Sequence, residues 1–91
     1  MSKKEANKAF ELDLLVKAGE VISWERQVKI PLRVNNQLIC NYYVDFLVHW
    51  KDGTEEYVEI KGFKTDLWRI KWKMFEALYK DKPNIKLSVE Y

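Results

Sequence analysis

Apolar and polar residues recur along the chain with two different periods, and each period predicts one kind of element. Two stretches have the helical period, in which apolar side chains return every three or four positions. Ser2 is placed to cap the first stretch and Gly19 to end it. Thr65 or Asp66 caps the second. These signals predict one helix over residues 3–18 and a second that follows this cap and runs to about residue 79.

The other apolar stretches have the composition of β-strands, with turn residues between them. Asn35-Asn36 is typical of a hairpin turn, Gly62 ends a strand, and Pro83 precedes the last one. Pro31 marks the first strand as an edge or a break, because proline cannot donate to a ladder. The predicted strands are residues 21–30, 37–50, 55–61 and 85–91. The predicted fold class is α/β, with the order α-β-β-β-α-β and a mixed four-stranded sheet flanked by helices.

Strict alternation along the second strand divides its side chains between two faces. One face carries Tyr43, Asp45, Leu47 and His49, and the other carries Val44, Phe46, Val48 and Trp50. Both faces are largely apolar, which is typical of a strand inside a sheet.

The turn after this strand contains Asp52-Gly53, a hairpin signal that leaves two loop lengths open. A two-residue loop pairs Asp45 with Ile60 and puts the carboxylates of Asp45 and Glu59 on opposite faces. A three-residue loop, with Gly53 in a left-handed conformation, pairs Asp45 with Glu59. Directly opposed carboxylates, with β-carbons about 4.5–5.5 Å apart, are unfavourable unless a cation lies between them. The second register therefore predicts a divalent cation site.

The length and the charge of the chain indicate the size of the protein and the kind of partner that it binds. The chain has 91 residues, 47% hydrophobic and 33% charged, which is typical of one soluble domain over residues 1–91. The net charge is only +2, but five bases stand against one acid between Lys61 and Lys73. Such a basic segment beside the carboxylate pair favours an anionic partner.

Neither a disulfide nor a membrane anchor is expected. Cys40 is the only cysteine, so the chain can form neither an internal disulfide nor a cysteine-rich zinc site. The sequence carries neither a signal-peptide pattern nor a run of about 18 apolar residues. A reducing, cytoplasmic setting is the expectation.

The order of elements, with Asp45 and Glu59-Ile60-Lys61 on consecutive strands, resembles the core of the PD-(D/E)XK nuclease superfamily. Three segments, residues 2–6, 43–46 and 58–66, are similar to a small phage-encoded branch of it. Val44 stands where the motif name has proline. The resemblance covers essentially the whole chain. It implies a restriction-endonuclease-like core and a Mg²⁺-dependent DNA endonuclease, similar to Holliday junction resolvases of the RecU type, in the host cytoplasm.

The resemblance also assigns roles in the predicted site. Asp45 and Glu59 would hold Mg²⁺, with Mn²⁺ as a substitute, and the backbone carbonyl of Ile60 would be a further ligand. Lys61 would orient the attacking water or stabilise charge on the phosphate. Glu5 could reach the metal through water from an inward stripe that continues through Ala9, Leu12 and Val16. Its other interpretation is structural, because Ser2 and Glu5 have the spacing of a capping box.

The second helix carries two apolar stripes and several bases. We expect the core stripe to be Leu67, Ile70, Met74, Ala77 and Leu78. The aromatic stripe, Trp68, Trp72, Phe75 and Tyr79, is predicted to form a homodimer interface, with base stacking as the alternative. The candidate phosphate contacts are Lys3, Lys64, Arg69, Lys71 and Lys73. No role is assigned to His49, Gln27 or Arg26.

The resulting hypothesis is a homodimeric endonuclease that cuts branched DNA. The domain is too small for a separate sequence-reading unit, so the core itself would have to recognise the shape and backbone of DNA. Two alternatives stay open: a sequence-specific or nicking endonuclease of restriction or transposition type, and a non-catalytic DNA-binding or interaction subunit.

Overall fold

The computed structural model describes residues 1–62 and 65–91. Its elements are α1 (Lys3–Lys17), β1 (Val21–Val34), β2 (Gln37–Trp50), β3 (Glu55–Ile60), α2 (Asp66–Tyr79) and β4 (Ile85–Glu90). Their order and the mixed four-stranded sheet confirm the predicted fold class. Only β1 departs clearly from its predicted bounds, since it continues through Pro31 to Val34. Among the described residues, no helix is long and apolar enough to cross a membrane.

The ends of both helices follow the capping chemistry of the sequence. The Ser2 side chain accepts a hydrogen bond from the Glu5 backbone N–H, and Thr65 does the same for the N–H of Trp68. At the end of α1, Gly19 adopts a φ of +80° and donates to the Val16 carbonyl. Gly19 thus ends the helix in a left-handed conformation that suits glycine.

The sheet has the order β1-β2-β3-β4, with β3 and β4 parallel and the other pairs antiparallel. Parallel neighbours need a crossover connection, which α2 supplies. Because β1 lies at an edge, Pro31 is accommodated in it opposite Asn41 without removing a bond from an inner ladder.

The β2–β3 turn has the three-residue loop of the second predicted register. The Trp50 N–H donates to the Thr54 carbonyl at 2.9 Å, and Gly53 has a φ of +89°. The ladder pairs Phe46 with Val58, and continuing this register places Asp45 opposite Glu59. The predicted register of β2 and β3 is confirmed, and the ladder itself ends at Phe46 and Val58.

Apolar clusters lie on the two faces of the sheet. Leu12 of α1 packs with Phe46, Val48 and Val58 on one face. Leu47 and Tyr57, the strand neighbours that point the other way, pack with α2. The domain is therefore a three-layer sandwich with a helix on each side of the sheet.

The face of α2 that packs on the sheet is the reverse of the predicted one. Trp72 and Phe75 are buried, and the rings of Tyr42 and Tyr57 contact Phe75. Trp68 and Tyr79 pack against the same cluster. In contrast, most of the predicted core stripe is exposed, namely Leu67, Ile70, Ala77 and Leu78, and Met74 alone packs partly. Large aromatic rings bury the most apolar area, so they occupy the core; their assignment to an exposed dimer interface is wrong.

The alternation of side chains in β2 breaks at Asp45. Val44 packs with the α2 cluster, whereas Phe46 packs with the α1 cluster, so the prediction that they share a face is wrong. The physical cause lies on β1, where Gln27 has a φ of +50° between the residues paired with Phe46 and Val44. A left-handed residue that is not glycine costs on the order of 1–2 kcal/mol, and such strain is concentrated at functional sites.

Candidate functional site

The site forms where the β2–β3 ladder ends, and Asp45 lies at that point. Instead of projecting onto a face, its carboxylate lies between the strands. Oδ2 accepts a hydrogen bond from the Ile60 backbone N–H at 2.9 Å, and Oδ1 accepts one from Gln27 Nε2 at 3.0 Å. The break in alternation therefore has a structural result, since it directs this carboxylate toward the backbone of β3.

Glu59 lies on the α2 side of the sheet and is only 2% exposed. Its Oε2 accepts hydrogen bonds from the Tyr42 hydroxyl and, at 3.3 Å, from Trp68 Nε1. The same indole nitrogen lies 3.1 Å from the Tyr42 hydroxyl oxygen. We call these three side chains the Glu59 triad. It fixes a buried carboxylate by donors from both β2 and α2.

Charged neighbours of the two carboxylates come from α1 and β3. Burial is the largest effect and raises the pKa of Glu59 to about 7, while the Trp68 hydrogen bond and the charge of Lys61 oppose the rise. Burial also raises the pKa of Asp45, against the hydrogen bond from Ile60. The Glu5 charge raises both pKa values further. The Glu5 charge thus acts on both buried carboxylates, with Lys61 as the opposing cation.

Glu5 makes the contact of its structural interpretation, and its contact with a metal through water stays a prediction. The Glu5 backbone N–H donates to Ser2 Oγ at 3.1 Å, as in a capping box, and Ser2 Oγ also lies 3.2 Å from Glu5 Oε1. Its other oxygen, Oε2, lies 3.7 Å from Arg26 Nη2, and its charge acts on Asp45 and Glu59. Leu12 is buried further along the same stripe, but Val16 is exposed, and Leu15 beside it packs against the buried cluster instead. The stripe therefore contacts the sheet up to Leu12, and Leu15 continues the contact.

Lys61 follows directly after β3. Its Nζ lies 5.3 Å from the centre of the Trp68 ring, over the aromatic face. The Lys61 backbone N–H donates to the Glu90 carbonyl of β4, while the Ile60 N–H points to β2. Because the N–H and C=O of one strand residue point to the same side, the Ile60 carbonyl also faces β2 and Asp45.

The predicted phosphate contacts lie along exposed surface. Lys3, Arg69 and Lys73 are exposed, and Lys71 is partly buried with its Nζ 3.5 Å from the Asn41 carbonyl. Lys64 lies outside the described residues. Within the described part of the chain, no ion pair joins Asp45 or Glu59 to a Lys or Arg at 4.0 Å or less. Among the described residues, the carboxylates are thus hydrogen-bonded without a directly contacting cation.

Sequence reasoning missed three contacts of the site. Gln27 was given no role, Tyr42 was not considered, and Trp68 was placed at an interface. Alternation alone directs Tyr42 away from the face of Asp45, so only the break at Asp45 explains how both reach the site. No sequence signal marks a left-handed glutamine. One sequence feature does indicate contacts of this kind. Tyrosine and tryptophan residues lie close in sequence to the acidic residues, and a buried tyrosine hydroxyl or tryptophan N–H needs a hydrogen-bond acceptor such as a carboxylate.

The donor set is suited to a hard divalent cation, although it is small. Two carboxylates and a backbone carbonyl are the oxygen ligands that Mg²⁺ prefers, and it retains several waters in such sites. In residues 1–62 and 65–91, no three Asp, Glu, His or Cys side chains gather closely enough to hold a metal by themselves. Burial is the main cause of the raised pKa values of both carboxylates, and a bound cation would favour their charged forms.

The buried acid has a measurable effect on folding. Below pH 4.5 Glu59 is protonated in both states, but between 4.5 and about 7 only the folded state retains the proton. Without divalent metal, the stabilisation from this proton, roughly 3 kcal/mol, should therefore be lost progressively between pH 4.5 and about 7. Urea unfolding across this range should show a larger loss in wild type than in Glu59→Gln, which retains only the contribution of Asp45. Glu55→Gln, on the same strand but half-exposed, is the control; equal pH dependence in wild type and Glu59→Gln would contradict the expectation.

The fold and the site define an α/β protein with a buried acidic pair on its central strands. The chain belongs to the family described as Protein of unknown function (DUF1064), whose model matches residues 1–90. Comparison with curated proteins and with solved structures gave no match.

Proposed function

We propose that this protein is a Mg²⁺-dependent DNA endonuclease that hydrolyses phosphodiester bonds, with branched DNA as its substrate. The observation that carries the proposal is that two carboxylates, Asp45 and Glu59, are both buried where the β2–β3 ladder ends, and the Lys61 charge acts on both. Two neighbouring buried carboxylates are unfavourable unless they are protonated or bind a cation. The resemblance to PD-(D/E)XK nucleases, based on these residues and Lys61, supports the same function.

Each residue has a distinct part in the proposed reaction. Asp45, Glu59 and the Ile60 carbonyl would hold the ion, and Mn²⁺ could replace Mg²⁺ because it takes similar oxygen ligands. Bound there, the metal would polarise the scissile phosphate and lower the pKa of an attacking water. The Lys61 ammonium would stabilise the charge that develops on the phosphate.

Surrounding side chains would hold these groups in place. Gln27 fixes the Asp45 carboxylate through one oxygen, and Tyr42 and Trp68 fix Glu59. Glu5 would contact a metal-bound water from α1, where Arg26 balances its charge. A rigid shell of this kind is what precise positioning of a metal and a nucleophile requires.

Exposed bases would bind the DNA backbone. Arg69, Lys71 and Lys73 lie on α2, whose first turn contacts the site through Trp68, and Lys3 begins α1 close to Glu5. Phosphate contacts from such bases provide affinity and register without reading sequence. We further propose a homodimer, because cutting two strands needs two sites; the buried aromatic stripe is not its surface. As a phage-encoded enzyme it would act in the host cytoplasm.

A cleavage panel tests the function directly. Purified protein is incubated with four-way, three-way, flapped, linear and single-stranded DNA, with Mg²⁺ or with EDTA. We expect cleavage of the branched substrates with Mg²⁺ and none with EDTA. Cleavage of linear duplex at one sequence would favour a restriction or transposition type, and binding without cleavage under every metal condition would favour a non-catalytic subunit.

A further inference from the structure

A cavity of about 240 Å³ lies between β2 and the first turns of α2. We call it the aromatic cavity; its walls are Asn41, Tyr42, Tyr43, Thr65, Leu67, Trp68 and Lys71. It is open to solvent, since Tyr43 is 51% exposed and Leu67 is 63% exposed. None of the proposed catalytic groups lines it, so it is distinct from the acidic pair.

The cavity and the acidic pair share two side chains. Tyr42 and Trp68 line the cavity, and both donate to Oε2 of Glu59. A molecule in the cavity would therefore lie one side chain away from a carboxylate of the candidate metal site.

The walls of the cavity have the chemistry that recognises a nucleotide. Tyr43 provides an exposed aromatic ring, against which a base of any sequence can stack. Tyr42 is buried, and the Trp68 ring already stacks on Trp72 and lies beneath Lys61, so these two residues form the inner wall of the cavity. Lys71 provides a cation whose Nζ has one contact, at 3.5 Å to the Asn41 carbonyl, which leaves donors for a phosphate. An apolar peptide would leave this ammonium without an anionic partner, whereas a nucleotide satisfies both the Tyr43 ring and the cation.

We propose that the aromatic cavity binds one unpaired nucleotide of the cleaved strand, beside the scissile phosphate. This inference rests on the proposed nuclease function and extends it to substrate choice. A base inside a duplex must leave its stack before it can enter a pocket, at a cost that is least for an unpaired base. Branch points and flaps present unpaired bases, so the cavity would give the enzyme its preference for branched DNA over duplex DNA.

The test compares Tyr43→Ala with Tyr43→Phe, in EDTA so that no substrate is cut. The probes are a flapped DNA with 2-aminopurine at the unpaired position next to the branch, and a linear duplex of the same length. We expect Tyr43→Ala to lower the preference for flap over duplex by roughly 5- to 100-fold, because one base–aromatic contact is lost. Tyr43→Phe should keep the preference, since the ring remains.

Phe10→Ala is the matched control, because Phe10 is an exposed aromatic residue on α1 away from the cavity. The 2-aminopurine emission should change on binding to wild type, Tyr43→Phe and Phe10→Ala, and change less with Tyr43→Ala. If Tyr43→Ala keeps both the preference and the emission change while wild type cuts DNA with Mg²⁺, the cavity inference is wrong and the nuclease proposal stands. If wild type neither binds nor cuts any DNA in the panel, both are wrong.

Discussion

Asp45→Asn and Glu59→Gln should each abolish cleavage, with a loss of roughly 10³-fold or more. Each substitution removes one of the two negative charges that would hold the metal, with little change in volume. The measurement is single-turnover cleavage of the best substrate in the panel, at matched protein and Mg²⁺ concentrations. Calorimetric titration with Mg²⁺ should show the same two variants losing metal affinity.

Both variants should remain folded, which separates loss of chemistry from loss of structure. In Asp45→Asn the amide oxygen can still accept from the Ile60 N–H, and the Gln27 amide can rotate to accept from the new amide nitrogen. In Glu59→Gln the amide oxygen can still accept from Tyr42 and Trp68. Removing a buried charge should leave this variant more stable than wild type above pH 7.

Glu55→Gln controls for the loss of an acidic residue on β3. It lies on the same strand, its side chain is 43% exposed, and its contact is to His49 near the hairpin end. Cleavage by this variant should match wild type. Wild-type cleavage by either Asp45→Asn or Glu59→Gln would remove the central claim of the proposed function.

The β2–β3 register could be predicted because its cause is local. The loop sequence contains a glycine where a left-handed residue is needed, and this fixes the pairing of every residue along the two strands. Asp45 and Glu59 are therefore neighbours for reasons visible in the turn. The helix caps at Ser2 and Thr65 were predictable for the same reason, since each depends on residues within one turn.

The packed face of α2 could not be predicted, because its cause is not local. Two stripes of similar apolar content run along the helix, and periodicity does not indicate which one meets the sheet. The choice depends on Tyr42 and Tyr57, whose rings pack on Phe75 across the domain. The left-handed Gln27 is a tertiary effect of the same kind. It brings Tyr42 and Asp45 to one site in spite of the strand period.

Trp68 lies on the packed face of α2 and also contacts the candidate site. The sequence predicts its stripe to be an external surface, yet its indole N–H reaches a buried carboxylate and its ring lies beneath the Lys61 ammonium. Tryptophan can do both, because it has a large apolar body and a single polar donor. Trp68 therefore joins the core of the domain to the candidate site.

Lys61→Ala should lower the cleavage rate by roughly 10²–10³-fold, the usual cost of removing one group that stabilises a developing charge. Metal affinity should be unchanged or slightly higher. The Lys61 charge lowers the pKa of both Asp45 and Glu59, so it favours their ionised forms without contacting them as a ligand would. Without Lys61, the carboxylates would ionise less readily, which weakens metal binding. The same change also removes a positive charge that would repel the incoming cation, and this offsets the loss.

Two measurements on the same samples distinguish a role toward the phosphate from a role toward the metal. Single-turnover cleavage at saturating Mg²⁺ gives the rate, and calorimetric titration gives the affinity for the ion. Lys86→Ala, which removes an exposed lysine of β4, is the control and should change neither. If the affinity for Mg²⁺ falls as far as the rate does, Lys61 acts on the metal site and not on the phosphate. If the rate stays at the wild-type value, Lys61 has no part in the reaction, and its contact with Trp68 is structural.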